Sequence, residues 1–350
     1  MQIRAMQDSD DDLVLLKNLF DANDSPRTLD DLRWRYPRNP TGQVVVDFAI
    51  DEVSGELAAA YCVFPAYFKL GTERVLAAQS LDTLTDERFR GQGLFRKLAT
   101  STYGRLAGAN AALVYGFPNG NSAPGFFGKL GWHRLDPVPF LVRPLRLPYI
   151  ARRMKVPDWV TRWIPSVPFV VPSILSRRSL AIEPVRAFDE SFDRLWERFS
   201  ANTPVALERS ATFLTWRYLQ HPRATYELRA IKEGGETVGF VAWRVADKHG
   251  GRVAYIMELL HDPDRPDVAS QLLDHAVRES AADGADIVLA WSLDHSPNRS
   301  AYTGSAFLPL PERLRPIELH FGARAFGDTA AALVAERTSW YLSYTDADTV

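Results

Sequence analysis

Two glycines and two arginines stand close together in the first third of the chain, between a strand-like stretch and a helix-like one. Residues 82–95 read DTLTDERFRGQGLF, in which Gly91 and Gly93 expose backbone N–H groups just before the helical stretch. A phosphate binds at such a loop, because the N–H groups and the positive end of the helix dipole both face it. The segment predicts a pyrophosphate-carrying cofactor at Arg88, Arg90, Gly91, Gln92, Gly93, Leu94 and Phe95.

A second group of polar residues lies where the next buried strand gives way to a helix. Residues 115–132 read YGFPNGNSAPGFFGKLGW. Asn119, Asn121 and Ser122 fall at the start of that helix, where such side chains are good N-caps. Two interpretations are left open: these side chains cap the helix, or they contact the cofactor or the acceptor.

Asp82 is the best candidate for a general base, because it is a carboxylate in an otherwise apolar strand just before the loop. The alternative is that Asp82 points to the surface or satisfies backbone N–H groups of a bulge. Glu73 and His133 are lesser candidates, and a surface position is the simpler interpretation of His133.

The elements that would position these residues occur twice. Ile3-Arg4-Ala5-Met6 and Val185-Arg186-Ala187-Phe188 each precede an amphipathic helical pattern, and Trp34-Arg35-Tyr36 returns as Trp216-Arg217-Tyr218. Both pairs are separated by 182 residues (185 − 3 and 216 − 34). Each copy continues with a hairpin, a third strand, a helix, a buried strand and another helix. The pattern predicts two copies of one α/β unit.

The copies differ at the glycine loop. Aligned on the third strand, the loop falls opposite Val268-Ala269-Ser270-Gln271, which contains no glycine. Asp262, Asp264 and Asp267 lie nearby and would repel a pyrophosphate. We therefore expect only the first copy to bind the cofactor.

The predicted organisation is a cofactor-binding domain at 1–136, a linker at 137–178 and a degenerate second domain at 179–350. The linker has eight Arg and Lys residues against a single acidic residue, Asp158, and is rich in proline and aromatic residues. One interpretation packs its apolar side against both domains and leaves its arginines in water. The other places it on an anionic membrane surface.

Composition bounds the function. The 350 residues exceed one ordinary core, and 46% hydrophobic with 24% charged residues is typical of a soluble globular protein. A net charge of -2 gives no general attraction to nucleic acid, and the lone Cys62 excludes an internal disulfide and a cysteine-rich metal site. We therefore expect no metal. The lone cysteine also suits a reducing cytoplasm, and no signal peptide or run of about 18 apolar residues is apparent, so we expect a cytoplasmic protein.

The order of the two motifs, at 88–95 and 115–132, resembles that in the GCN5-related N-acetyltransferase (GNAT) superfamily. Their residue sequences are similar to those of a tandem subgroup distantly related to the Eis-type acetyltransferases. The resemblance implies two tandem α/β (α+β) domains, each a mixed, mostly antiparallel twisted sheet flanked by helices. It also implies acetyl-CoA as the co-substrate. Backbone groups of Leu84 and Thr85 would then hydrogen-bond the pantetheine arm, beside a neighbouring strand at 115–117.

The family often places a tyrosine, as proton donor to the leaving thiolate, where this chain has Phe127. Phenylalanine cannot donate a proton. Either the thiolate leaves without a side-chain acid, or another hydroxyl such as that of Tyr115, Ser122 or Tyr103 takes the role.

The leading functional prediction is an acetyl-CoA-dependent N-acetyltransferase whose first copy is catalytic and whose acceptor is a small amine. Family association suggests an amino sugar carried on a nucleotide or lipid, in surface-polysaccharide biosynthesis. One alternative is an acyltransferase with a different acyl donor, although tandem enzymes that use aminoacyl-tRNA lack an intact pyrophosphate loop. Another alternative is a non-catalytic CoA-binding or scaffold protein, in which Phe127 marks lost catalysis.

Overall fold

The computed structural model describes residues 1–153, 156–163, 168, 180–315 and 317–348. Two mostly antiparallel sheets are flanked by helices, which confirms the predicted fold class. The strands are β1 (Gln2–Ala5), β2 (Val45–Ile50), β3 (Leu57–Leu70), β4 (Glu73–Thr85), β5 (Leu113–Gly116), β6 (His133–Arg134), β7 (Phe140–Pro144), β8 (Glu183–Pro184), β9 (Val205–Leu207), β10 (Glu227–Glu233), β11 (Glu236–Lys248), β12 (Gly251–His261), β13 (Ile287–Trp291), β14 (Leu308–Pro309) and β15 (Gly322–Ala325).

The α-helices are α1 (Asp10–Asp21), α2 (Leu29–Arg35), α3 (Leu94–Gly108), α4 (Ala123–Lys129), α5 (Leu147–Arg153), α6 (Asp158–Thr161), α7 (Glu190–Phe199), α8 (Ala211–Leu214), α9 (Pro266–Ala282), α10 (Arg299–Gly304) and α11 (Asp328–Ala335). None in the described part of the chain is long and apolar enough to cross a bilayer. The same residues contain no cluster of three or more side chains suited to hold a metal ion.

Each sheet is completed by a strand from the other half of the chain. The first sheet has the order β1-β2-β3-β4-β5-β15-β6, with β9 on β3, and the second has the order β14-β7-β13-β12-β11-β10-β8. Thus β15 pairs with β5, and β7 pairs with β13. The strand β7 lies inside the segment predicted as a linker, and residues 154–155, 164–167 and 169–179 of that segment lie outside the described residues.

The repeated tryptophans lie at the contact between the two halves. The rings of Trp34 and Trp216 are stacked with centroids 4.1 Å apart and planes 4° apart. Each indole Nε1–H donates to the other residue's carbonyl oxygen at 3.0 Å. This reciprocal pair repeats the 182-residue separation found in the sequence, and it belongs to one hydrophobic core shared by both sheets.

The helices that open each half begin at side-chain caps. Ser9 accepts a hydrogen bond from the backbone N–H of Asp12 at the start of α1, and Asp189 does the same for Ser191 at α7. The start of α3 differs, because Gly93 occupies the cap position and no side chain accepts its first N–H groups. Those donors are therefore available to a ligand.

Candidate active site

The neighbouring strands β4 and β5 separate and leave a groove. Their parallel pairing ends at Ser80 and Gly116, whereas β4 continues to Thr85. A Cβ atom on Gly116 would lie 2.8 Å from the carbonyl oxygen of Ser80, so the strands can approach this closely only at glycine. Beyond this point lies a cavity of about 280 Å³, lined on one side by Asp82 and Thr85.

The glycine loop stands at one end of this groove. Gly91 and Gly93 have φ values of 81° and 71°, which a residue with a side chain rarely adopts, and open space surrounds both. The fifteen-residue helix α3 begins immediately afterwards at Leu94. The uncapped N–H groups and the helix dipole fit a pyrophosphate, so this end of the groove suits the cofactor that the sequence predicted.

Carboxylates hold the two arginines of the loop in place. Arg88 contacts Asp86 at 3.0 Å and Glu56 at 2.9 Å, and Arg90 contacts Glu87 at 2.9 Å. Both guanidinium groups remain more than half exposed, so they can still reach a phosphate in solvent. Gln92 between the glycines is exposed as well.

Aromatic rings form one wall of the groove. The ring of Phe95, at the start of α3, packs against Phe126 with centroids 5.3 Å apart, and Phe126 packs against Trp132 at 4.7 Å. A Cβ atom on Gly125 would lie 2.9 Å from Phe95, so glycine there permits α4 to approach α3. All three rings line the cavity.

Asp82 lies in a β-bulge and faces the first half's arginines. Its φ of 49° coincides with a register shift between β3 and β4. Arg27 donates to its carboxylate at 2.9 Å and Tyr36 at 3.2 Å, and Arg35 lies 3.5 Å away. The side chain is only 7% exposed, so Asp82 is not a surface residue.

Asp348 is a second carboxylate at the site, and the sequence analysis did not single it out. Arg35 lies between the two carboxylates, since its other nitrogen contacts Asp348 at 2.5 Å. Burial acts to raise the pKa of Asp348, but the charges of Arg35 and Arg217 and the hydrogen bond from Arg35 together outweigh burial, so the net pKa is lowered. Asp348 also lines a small cavity of about 20 Å³ that shares Leu81 with the groove.

Tyr115 lies on the other side of its strand from the groove. Its ring packs between Phe68 and Trp340, and its hydroxyl donates to the carbonyl oxygen of Asp346 at 3.2 Å. It does not line the cavity, although Gly116 and Phe117 do. Burial raises the pKa of Tyr115 well above its usual range.

A chain of hydroxyl groups leads from the groove into the first half's core. Ser80 lines the cavity and donates to the hydroxyl of Tyr61 at 3.0 Å. The hydroxyls of Tyr61 and Tyr103 are 2.7 Å apart, and the indole N–H of Trp132 donates to Tyr103 at 2.9 Å. Burial raises the pKa of Tyr103 to about 12, so this phenol stays protonated near neutral pH. The sequence analysis named Tyr103 but gave no signal for Ser80 or Tyr61.

The polar residues after β5 form a turn. The side-chain oxygen of Asn119 accepts from the backbone N–H groups of Asn121 at 3.1 Å and Ser122 at 3.0 Å. The Ser122 hydroxyl donates to the same oxygen at 3.1 Å. Asn119 and Ser122 line the groove, whereas Asn121 is exposed.

Phe127 lies at the edge of the first sheet and does not line the groove. The guanidinium of Arg134 lies 4.2 Å from its ring centroid, and a Cβ atom on Gly322 would lie 2.5 Å from the ring. The remaining base candidates are both exposed: Glu73 begins β4, at the opposite end from the groove, and His133 lies on β6.

The equivalent region of the second half is filled by protein. The parallel pairing of β12 and β13 ends at Tyr255 and Leu289. Beyond it, Thr345 donates to the carbonyl of Met257 at 2.9 Å, and Asn298 donates to that of Leu259 at 3.0 Å.

An ion cluster fixes this filling segment. Arg209, fully buried, contacts Glu258 at 2.8 Å and Asp346 at 2.6 Å. The ring of Tyr344 stacks on Trp291 with centroids 4.5 Å apart. The C-terminal segment therefore packs where the second half would otherwise have its own groove.

Comparison with known proteins agrees with this geometry. Residues 2–135 match the model of an acetyltransferase (GNAT) domain family. No curated protein sequence matches the chain significantly. A GCN5-related N-acetyltransferase from Anabaena variabilis superposes with a TM-score of 0.64 and 13% identity, over 95% of this chain and 75% of that one.

The N-myristoyltransferase of Saccharomyces cerevisiae with bound myristoyl-CoA is also similar. It gives a TM-score of 0.60 at 12% identity, over 92% of this chain and 82% of that one. At such identities the likeness shows the fold. Residues 2–135 therefore match a GNAT acetyltransferase domain, and the fold is similar to that of solved GNAT proteins over most of the chain.

Proposed function

We propose that the protein is an acetyl-CoA-dependent N-acetyltransferase that acts on a small amine. The observation that carries the proposal is the cavity of about 280 Å³ between β4 and β5, which leads from the uncapped start of α3. The loop at 88–95 would hold the pyrophosphate, and backbone groups of Leu84 and Thr85 would face the pantetheine arm. The aromatic wall of Phe95, Phe126 and Trp132 favours a short acyl group.

The acidic pair Asp82 and Asp348 suits an amine acceptor. An amine is largely protonated at neutral pH and must lose a proton before it attacks the thioester carbonyl carbon. Arg35 contacts both carboxylates and Arg27 also contacts Asp82, so these guanidinium groups balance the charge of the pair and fix both carboxylates near the groove. In this proposal a carboxylate of the pair takes the proton.

The Ser80 hydroxyl suits the role of proton donor to the leaving thiolate. Hydroxyl hydrogens rotate, and the indole N–H of Trp132 can only donate. If Tyr103 turns its hydrogen to Tyr61, and Tyr61 turns its own to Ser80, the Ser80 hydrogen is released toward the groove. As the C–S bond breaks, Ser80 would donate its proton to sulfur and regain one from solvent in the open groove, while Tyr61 and Tyr103 orient its hydroxyl. Ser80 would thereby take the role of the family's usual tyrosine, whose position Phe127 occupies in this chain.

The acceptor class and the cellular setting rest on the sequence resemblance. On that basis we propose that the acceptor is an amino sugar in surface-polysaccharide biosynthesis and that the second half completes the acceptor site. We also propose that the chain belongs to the tandem subgroup distantly related to the Eis-type acetyltransferases. The proposal also includes a cytoplasmic location with peripheral membrane contact through the linker. A CoA-binding scaffold is the alternative function, because Phe127 removes the family's usual acid.

Release of the CoA thiol from acetyl-CoA, measured with a panel of amines and amino sugars, tests the proposal. We expect turnover with at least one amine, and a loss of about a hundredfold or more for Asp82→Asn. Gly104→Ala in the same domain is a matched control, because that site lies in α3 with open space around it. Binding of acetyl-CoA without turnover on any amine would support the scaffold instead.

A further inference from the structure

A second cavity, of about 240 Å³, lies in the other half of the molecule. Its wall includes Val142 and Leu289 from the second sheet, Ile150 from α5, and Leu310. Most side chains around it are apolar, so the cavity suits an apolar ligand.

This cavity is separate from the acyl-CoA groove. Trp291 follows Leu289 on the same face of β13, and its ring packs against Phe140 at 5.3 Å and Phe117 at 5.1 Å. Phe117 lines the groove. A layer of aromatic rings therefore stands between the two spaces.

The rim of the cavity is basic. Arg153 at the end of α5 and His249 are its titratable rim groups besides Tyr149, whose hydroxyl donates to the carbonyl of His249 at 3.3 Å. Burial, with the nearby charges of Lys248 and Arg153, lowers the pKa of His249, so this ring is neutral at neutral pH. No carboxylate in the described part of the chain lines the cavity, and the lasting charge at its rim is positive.

The rim of the cavity, and helix α6 that contacts α5 beside it, expose many apolar side chains. The described chain has ten exposed large hydrophobic side chains, and half of them lie on α5, on α6 and the turn that follows it, and in the segment at 308–314. These are Leu147, Trp159, Trp163, Leu308 and Leu314. Trp159 is 67% exposed and Trp163 is 81% exposed, and Arg162 between them is exposed as well. Arg152 on α5 is also exposed, as are Arg313 and its neighbour Glu312 in the segment at 308–314. Tryptophan and arginine together are typical of surfaces that lie at a lipid interface.

We propose that this face docks on a bilayer containing anionic phospholipid, and that one lipid acyl chain enters the cavity between α5 and β13. The arginines would face lipid phosphates, the tryptophans would lie at the headgroup level, and the apolar cavity would take hydrocarbon. This site deepens the proposed membrane contact, but it does not depend on acetyl transfer, since it lies outside the groove.

Co-sedimentation of the full chain with phosphatidylcholine vesicles, with and without phosphatidylglycerol, tests the site. We expect binding only when phosphatidylglycerol is present. Arg153→Glu and the double change Trp159→Ser with Trp163→Ser should each weaken it about tenfold or more. Arg278→Glu is the matched control, because Arg278 is exposed on α9, which packs on the opposite face of the second sheet.

Val142→Phe separates chain insertion from surface attraction. The added ring would fill the cavity, so we expect weaker vesicle binding with an unchanged or raised melting temperature. Unaltered vesicle binding by a folded Val142→Phe would overturn the acyl-chain site. Equal binding to both kinds of vesicle, or to neither, would overturn the proposal as a whole. Neither result would bear on acetyl transfer, which the thiol-release assay measures.

Discussion

Each half contains a parallel strand pair, β4 with β5 in the first half and β12 with β13 in the second. The space beyond the end of the pair is an open groove in the first half and is filled by protein in the second. In the first half, β4 continues beyond its last residue paired with β5 and borders an open groove. In the second half, Thr345 and Asn298 donate to carbonyl groups of β12 at the corresponding place. An unpaired strand edge can be left open to a ligand or be satisfied from within the chain, and the two halves of this molecule differ in this respect.

The loops before the following helices differ in the same sense. Gly91 and Gly93 leave the first turn of α3 bare, whereas α9 begins with Pro266, after a stretch that carries Asp262 and Asp264. One half keeps donors for an anion, and the other replaces them with negative charge. The fold by itself therefore does not specify acyl-CoA binding, because such a site also depends on backbone N–H groups that no side chain caps.

The largest expected effect comes from the acidic pair of the open half. Asp82→Asn should lower kcat by about a hundredfold to ten-thousandfold, because the acceptor would lose its base, while CoA binding is retained. Asp348→Asn, measured beside it in the thiol-release assay, identifies which carboxylate takes the proton. A full rate in both variants would remove the pair from the mechanism.

The next effect concerns the second half, where protein fills the space beyond the parallel strand pair. Arg209→Met leaves Glu258 and Asp346 as buried carboxylates without their cation, which should lower the free energy of unfolding by about 3–5 kcal/mol. Urea unfolding measures the loss, with Arg278→Met on the exposed face of α9 as control. A change below about 1 kcal/mol would show that the filled gap does not depend on this cluster.

A smaller loss of rate is expected along the hydroxyl chain. Ser80→Ala should lower kcat about tenfold to a hundredfold with little change in KM, and Ser80→Thr should restore most of it. Tyr61→Phe leaves Ser80 in place but cuts the chain behind it, so its effect should be weaker and should change the pH profile. If Ser80→Ala keeps the normal rate and profile, the thiolate leaves without this donor.

The smallest expected effect lies at the contact between the halves. His221 packs on Trp34 with centroids 4.4 Å apart, and burial, with the charge of Arg217, lowers its pKa to about 4. The unfolded chain therefore binds more protons between about pH 6.5 and 4, so the free energy of unfolding should fall as the pH falls through that window. His221→Gln should remove about 1 kcal/mol of this dependence after screening by solvent. The same slope in both proteins would place the titrating group elsewhere.

Sequence patterns were enough to predict the features that depend on short segments of the chain. The glycine loop follows from spacing within one short segment, the repeat from short matching segments 182 residues apart, and the fold class from the family resemblance. The stacked Trp34 and Trp216 are the matched pair of that repeat. The exchange of β7 and β15 could not be predicted this way. Strand pairing between residues as distant as Gly116 and Gly322 leaves no periodic signal in either segment.

The site was predicted only in part, because some of its contacts also join residues that are distant in the sequence. The order of strand, loop and helix indicated the groove, but the approach of Asp348 to Arg35 joins opposite ends of the chain. Alternation along β5 puts Tyr115 and Gly116 on opposite faces, yet it does not say which face borders the groove. The hydroxyl chain behind Ser80 likewise depends on packing between β3, β4 and α3.

The most direct test of the comparison is the stoichiometry of CoA binding by isothermal titration calorimetry. The account predicts one site per chain, and binding that is lost when Gly91→Val and Gly93→Val place β-branched residues at positive φ in the loop. Gly104→Ala should bind normally. Two sites per chain, or one site that survives both loop substitutions, would contradict the assignment of CoA binding to the first half.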